Sequence, residues 1–146
     1  MNDLRDLYQR TVLDHSRRPR NFRALSGDVW TAELRNVTCG DRILVAWSLD
    51  GGARGAIGDI AFQGNGCAIS MASASVMTES VKGLSPAEAE GLRTRFTALV
   101  NDGGTHLSTG DPSDLLAFGA VVRFPVRIPC ATLAWLALHA ALEKRV

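Results

Sequence analysis

The sequence predicts an α+β fold in which a three-stranded antiparallel sheet has helices packed mainly on one face. Residues 29 to 62 predict the sheet, because runs of alternating apolar and polar side chains are separated by turn-like segments. Helical patterns flank this region on both sides. The last apolar stretch, residues 131 to 142, belongs to a helix that is apolar nearly all round and must therefore be buried. A chain of 146 residues suits one domain, and we expect residues 1–146 to form it.

The first half of the chain is predicted to form one helix and the three strands. The helix covers residues 3 to 14, where Leu4, Leu7 and Tyr8 recur at helical spacing. Asp50-Gly51-Gly52 is a hairpin signal, because glycine supplies the positive φ that tight turns need. The predicted strands cover residues 29 to 35, 43 to 49 and 55 to 63.

The second half is predicted to be mainly helical. Residues 67 to 82 are rich in small side chains, which lets this helix approach the sheet closely. Ser85 and Glu88 form a capping box that starts a helix ending near residue 100. Residues 124 to 129 are predicted to be extended, because two prolines there oppose helical structure. Helices are also expected over residues 111 to 118 and 129 to 144.

Composition excludes several classes of protein. Sixteen basic and fifteen acidic side chains give a net charge of +1, whereas a nucleic-acid-binding surface favours a large basic excess. Hydrophobic residues make up 46% of the chain, enough to form a core. The apolar stretch of about twelve residues near the end falls short of the roughly twenty that a membrane span needs. We therefore expect no nucleic-acid or membrane partner and, with no secretory signal at the N-terminus, a cytoplasmic protein.

Several polar residues keep two interpretations each. Arginines 17, 18, 20 and 23 form either a solvated basic loop or a docking patch for an acidic partner. His15 serves either docking or a capping or surface role. The serines of the segment from 67 to 82 are predicted to be packing residues, because no base is recognisable near them.

Three cysteines, Cys39, Cys67 and Cys130, carry the strongest chemical signal. An odd number and the absence of a Cys-x-x-Cys pair disfavour a disulfide framework and the common zinc-finger spacings. Gly40 allows a bend that points Cys39 and Asp41 at one centre. Cys67 and Cys130 are each predicted at the start of a helix, where the helix dipole stabilises a thiolate. Three thiols and one carboxylate supply the four ligands of a tetrahedral zinc site, although buried cysteines also occur simply as packing residues.

Three motifs resemble those of a known family. They are TCGDR at residues 38–42, FQGNGCAISMASAS at 62–75 and FPVRIPCATLAW at 124–135. Leu7-Tyr8, Asp14-His15 and Pro19-Arg20-Asn21 match as well, so that the resemblance covers nearly the whole chain. The chain resembles the SufU proteins, a branch of the wider IscU/NifU N-terminal family of iron–sulfur cluster assembly, and this implies a SufU/IscU-like α+β fold.

The resemblance implies a metal site and a partner. Cys39, Asp41, Cys67 and Cys130 would bind Zn²⁺, with an iron–sulfur cluster as the alternative cofactor. Cys39 would accept persulfide sulfur from a SufS-type cysteine desulfurase and pass it to downstream iron–sulfur assembly proteins. Arg127 matches the SufU arginine and is expected to contact Asp41 or to stabilise thiolate charge; the alternative is a surface arginine on an extended segment.

Two functions follow from the resemblance, a zinc-dependent sulfur acceptor and a scaffold on which an iron–sulfur cluster is assembled. The extra segment around residues 83 to 110 and the absence of a histidine before Cys130 favour the SufU branch and the first function. Pro129 departs from the lysine usual in SufU. A third interpretation is an interaction module in which the metal only stabilises the fold.

Overall fold

The computed structural model describes residues 4–37, 40–50 and 55–145. Helix α1 spans Leu4–Arg17 and precedes strands β1 (Trp30–Asn36), β2 (Asp41–Leu49) and β3 (Ile57–Asn65). Helices α2 (Ala68–Val81), α3 (Pro86–Asp102) and α4 (Ser113–Leu116) follow. Two 3₁₀ segments, Ala117–Arg123 and Pro125–Arg127, lead into α5 (Ile128–Glu143).

The predicted α+β fold with a three-stranded antiparallel sheet is confirmed. The strand order is β1-β2-β3, with Trp30 opposite Trp47 in the first pair and Ala46 opposite Ala61 in the second. The hairpin signal at residues 50 to 52 lies largely outside the described residues. The chain is paired where it enters and leaves this gap, because the N–H of Asp50 donates to the carbonyl of Ala56 at 2.8 Å.

The helices cover the sheet through one hydrophobic core. Helix α5 packs against β1 and β2, α2 packs against β3 and α5, and α1 lies on α2. Phe96 of α3 stacks on Trp135 of α5 with ring centroids 4.6 Å apart. The indole N–H of Trp47 donates to the carbonyl of Ala141 at 3.0 Å and fixes α5 on the sheet. This position between the sheet and α2 buries most of α5, as the sequence predicts.

One predicted element is wrong. Residues 124 to 129 were expected to be extended, but Pro125 begins a 3₁₀ turn and Pro129 lies in the first turn of α5. Proline disrupts a helix interior because it lacks an N–H, yet the first turn has no intrahelical acceptor for that N–H. Both prolines therefore initiate helical structure here. As a result Arg127 and Cys130 are brought within one helical turn of each other.

Helix α3 begins as its sequence indicates. The Ser85 hydroxyl accepts from the Glu88 N–H at 3.1 Å, and the Glu88 carboxylate accepts from the Ser85 N–H at 2.9 Å. This capping box satisfies two backbone donors that the first turn leaves unpaired. The extra segment expected around residues 83 to 110 thus contains a capped helix, which packs against the 3₁₀ segment 117–123 and α5.

The apolar helical segment at the end of the chain is longer than the stretch of about twelve residues that the sequence indicates. By length and composition alone, Pro125–Glu143 could cross a membrane, since it has 19 residues and a mean hydropathy of 1.3. Half of its apolar window is buried inside the fold. A core helix passes the same test, and the packing of α5 on the sheet accounts for the apolar sequence.

Candidate metal centre

Three elements bring three candidate ligands together. Asp41 is the first residue of β2, Cys67 is the N-cap of α2, and Cys130 lies in the first turn of α5. One ligand atom from each lies within 4.8 Å of the other two. Cys39, the fourth residue of the predicted set, lies outside the described residues. Its neighbour Gly40 has φ +78°, a conformation that favours glycine and supports the predicted bend.

The Asp41 carboxylate is held by the first turn of α2. Its Oδ1 accepts from the Cys67 N–H at 3.0 Å, and its Oδ2 accepts from the Ser70 hydroxyl at 2.5 Å. Asp41 is only 2% exposed, so both bonds form in a site from which water is largely excluded. A side chain at Gly66 would place its Cβ 2.7 Å from Oδ1, which explains why a residue without a side chain stands there. The Gly-Cys sequence therefore positions the carboxylate as well as the thiol.

The two described thiols differ in exposure. Cys130 is 1% exposed, whereas Cys67 is partly accessible. The Cys67 sulfur lies 3.9 Å from Asp41 Oδ2 and 3.7 Å from the Ser70 hydroxyl oxygen. Both cysteines occupy helix N-termini, where the helix dipole favours negative charge on sulfur. The site thus has a buried thiol and a thiol that a partner can approach.

Arg127 lies beside this pair. Its pKa is raised above the usual value by the neighbouring Cys130 side chain and by the charges of Cys67 and Cys130. Arg127 thus lies near the two described thiols, and its expected role in stabilising thiolate charge stays a prediction. Arg127 is exposed, so that its cationic head is accessible from the same side as the site.

Tyr8 is a neighbour of the thiols that the sequence marks only as part of an apolar stripe and of the Leu7-Tyr8 match. Burial and the negative charge of Cys67 raise the pKa of Tyr8, while Arg127 opposes the shift. The Tyr8 ring stacks on Phe124 at a centroid distance of 6.4 Å and meets Phe118 edge-on at 6.3 Å. Its ring thus packs from α1 against the segment before α5. No spacing in the sequence indicates this contact, because it depends on how α1 lies against the site.

The donor set fits a metal ion that favours sulfur. Tetrahedral zinc with Zn–S bonds of about 2.3 Å separates two sulfur ligands by about 3.8 Å. The separations among Asp41, Cys67 and Cys130 are at most 4.8 Å, so a small adjustment reaches that geometry. Thiolates select zinc or iron–sulfur chemistry, and one carboxylate among them is compatible with both. These three residues could hold either group.

The arginine segment is only partly available as a docking patch. Arg20 pairs with Asp14 at 2.8 Å, and Arg23 pairs with Asp59 at 2.8 Å. Within the described parts of the chain, the guanidinium groups of Arg17 and Arg18 form no ion pair. Two of the four cations thus hold the segment against the fold, and the other two remain exposed.

His15 occupies neither of the positions that the sequence suggested. It is 4% exposed, with Nδ1 2.7 Å from the Ser75 hydroxyl and Nε2 3.2 Å from Asp114. A base therefore does lie beside a serine of α2, contrary to expectation. Ser75 is completely buried and also accepts from the Arg20 N–H at 2.8 Å. The arrangement links α1, α2 and α4, and its serine is inaccessible to a substrate.

Comparison with known proteins identifies the family of this chain. The family model of the NifU-like N-terminal domain matches residues 7–145. The zinc-dependent sulfurtransferase SufU of Bacillus subtilis is 38% identical over 142 residues, 97% of this chain and 93% of that protein. The iron–sulfur cluster assembly scaffold protein IscU of Streptococcus pyogenes is 40% identical over 144 residues, 99% of this chain and 87% of that protein.

A solved structure from Fervidobacterium islandicum, described as an iron–sulfur cluster assembly scaffold protein for the SUF system, superposes with a TM-score of 0.82. The two chains are 28% identical, and the match covers 93% of this chain and 96% of the other. The chain therefore belongs to the NifU-like N-terminal domain family, among the iron–sulfur cluster assembly proteins of the SufU/IscU type.

Proposed function

We propose that this protein is a zinc-dependent persulfide acceptor that works with a SufS-type cysteine desulfurase in iron–sulfur cluster assembly. The observation that carries the proposal is the convergence of Asp41, Cys67 and Cys130, with the charge of Arg127 nearby. Cys39 stands two residues before Asp41 in the chain and completes a set of four ligands. The relative from Bacillus subtilis is named as a zinc-dependent sulfurtransferase, which supports the same assignment.

The proposed zinc ligands are Cys39, Asp41, Cys67 and Cys130. Bound zinc keeps its thiol ligands deprotonated at neutral pH. The protein supplies the rest of the environment. Asp41 is oriented by two hydrogen bonds from α2, and Arg127 places a positive charge next to the buried thiol.

The proposed transfer is a thiol–persulfide exchange. The Cys39 thiolate attacks the terminal sulfur of the partner's persulfide, a new S–S bond forms at Cys39, and the partner's own S–S bond breaks. The electron pair of the broken bond leaves on the partner's cysteine as a thiolate, so the partner's cysteine is reduced as Cys39 is oxidised to the persulfide, and no external oxidant or reductant is needed. The rate of such an exchange depends on thiolate fraction and on access to the sulfur. Exposed Arg127 favours the approach of the anionic persulfide.

A reducing compartment suits this chemistry, and we propose the cytoplasm. Cys67 and Cys130 are free thiols, as sulfur transfer and metal binding both require. Downstream iron–sulfur assembly proteins would take the sulfur from Cys39.

The second candidate function is a scaffold for cluster assembly. The IscU relative from Streptococcus pyogenes favours it, because that protein is named as a scaffold and is 40% identical to this chain. Pro129 stands where IscU proteins place a histidine, and residues 83 to 110 include the helix α3 that matches the SufU-specific segment. These two features make the acceptor our first choice.

The discriminating experiment measures alanine release from cysteine by the organism's own desulfurase, with and without this protein. We expect strong stimulation by the wild-type chain and none by Cys39→Ala. Absence of stimulation by the wild-type chain would reject the acceptor role. Anaerobic reconstitution of a cluster on the wild-type chain would then test the scaffold.

A further inference from the structure

We propose that Ser70 is a positioning residue for the metal site, which fixes the Asp41 carboxylate so that it presents one oxygen to the ion. The inference rests on the zinc site of the proposed function and adds a residue that is not itself a ligand. Ser70 is completely buried in the first turn of α2, three residues after Cys67. Its hydroxyl oxygen lies 2.5 Å from Asp41 Oδ2, 3.2 Å from the Cys130 carbonyl oxygen and 3.7 Å from the Cys67 sulfur.

The single hydroxyl proton of Ser70 has two competing acceptors. The Asp41 carboxylate and the Cys130 carbonyl can only accept, so the hydroxyl donates to one of them at a time. The shorter distance and the charge on the carboxylate both favour Asp41, because hydrogen bonds to ionised acceptors are shorter and stronger. The Ser70 hydroxyl therefore donates its hydrogen bond to Asp41.

This bond completes a two-point clamp on the carboxylate. Oδ1 is held by the Cys67 N–H and Oδ2 by Ser70, so the carboxylate cannot rotate without losing a hydrogen bond in a buried site. Only one of the two oxygens needs to face the thiols. Removal of the Ser70 hydroxyl would take away the short hydrogen bond to Oδ2 and make it easier for the carboxylate to turn away from the metal position. Loss of hydrogen-bond partners behind metal ligands typically lowers metal affinity by about 10- to 100-fold.

The same helix offers a matched control. Ser73 lies one turn further along α2, is equally buried, and donates to the Ala131 carbonyl at 2.6 Å. Ser73→Ala removes a buried hydroxyl and its hydrogen bond without touching Asp41. A general effect of losing a buried serine from α2 would therefore appear in both variants, whereas a positioning effect would appear only in Ser70→Ala.

The test measures zinc affinity by competition with a chromophoric chelator in the full-length protein. We expect Ser70→Ala to bind zinc about 10- to 100-fold more weakly than the wild type, and Ser73→Ala to bind within about threefold of it. The absorption spectrum of the Co²⁺-substituted protein should change in Ser70→Ala only, because the carboxylate ligand is altered there. Equal affinities and spectra for the two variants would overturn the role of Ser70 while leaving the zinc site intact. Failure of the wild-type chain to bind zinc would overturn the site, and with it this inference.

A double variant tests whether Ser70 acts through Asp41. In an Asp41→Ala background, Ser70→Ala should lower zinc affinity no further, since the carboxylate that Ser70 orients is gone. The comparison remains possible even if Ser70→Ala alone fails to fold. The double variant also lacks the Asp41 carboxylate, so no buried carboxylate is left without its hydrogen-bond partner. A further loss of affinity in the double variant, relative to Asp41→Ala, would contradict the proposal.

Discussion

Replacement of Gly66 by alanine should destabilise the protein through the Asp41 carboxylate. The new Cβ would lie 2.7 Å from Oδ1 and 2.9 Å from Cγ of Asp41, well inside ordinary contact distance. The carboxylate must move, and its 3.0 Å hydrogen bond from the Cys67 N–H is lost or stretched. A hydrogen bond to a charged group contributes about 1.5 to 3 kcal/mol. We therefore expect Gly66→Ala to lower the free energy of unfolding by about 2 kcal/mol and Tm by about 4 to 8 °C.

The assay is urea and thermal unfolding followed by circular dichroism, with and without added zinc. Gly91→Ala is the matched control, because Gly91 lies inside α3 and its nearest neighbour would be the flexible end of Arg95 at 3.4 Å. Alanine in a helix interior is more favourable than glycine by about 0.5 to 1 kcal/mol, so this variant should gain stability. The same substitution thus has opposite signs at the two sites. If Gly66→Ala were as stable as the wild type, the carboxylate would not be confined as described.

Three further predictions concern other parts of the fold. Ser85→Ala should lower the free energy of unfolding by about 1 kcal/mol in urea titrations, because the N-cap of α3 is lost; an unchanged midpoint would contradict it. Two hydrogen bonds from Arg95, each 3.0 Å long, hold the pKa of Asp111 below its usual value. Their stabilisation is complete above about pH 4 and is lost as the pH falls through the lowered pKa, so the stability difference between wild type and Asp111→Asn should shrink in acid. A difference that stays constant between pH 7 and pH 2 would refute this. His15→Ala should cost about 1 to 3 kcal/mol because the buried Ser75 hydroxyl loses its bond to His15 and keeps only the one from the Arg20 N–H, and the loss in a His15→Ala/Ser75→Ala double-mutant cycle should be less than additive. Strict additivity would show that the two side chains are not coupled.

Local patterns predicted most of the secondary structure because the chain signals its own element ends. The alternating runs gave the three strands, and the Ser85 capping box gave the start of α3. The failure at residues 124 to 129 has a defined cause. A proline excludes the interior of a helix but permits its first turn, and the sequence alone does not distinguish these positions at Pro125 and Pro129.

The candidate ligands could be predicted from the sequence, whereas the residues that surround them could not. Asp41, Cys67 and Cys130 stand next to glycine or proline signals that mark element ends, so their residue types and positions indicated a metal site. Ser70 and Tyr8 carry no such mark. Their contacts to the site depend on the packing of α1, α2 and β2, which short-range patterns do not report.

The placement of Cys130 has a consequence for the order of events during synthesis. Helix α5 carries this thiol and also covers β1 and β2. The chain must grow by 63 residues between Cys67 and Cys130, which takes roughly 3 to 13 s at ordinary translation rates. During that interval the earlier ligands exist without their last partner and without the helix that buries the sheet. The set of proposed ligands is therefore complete only once the chain has grown into its final helix, and the proposed metal capture would belong to a late stage of folding.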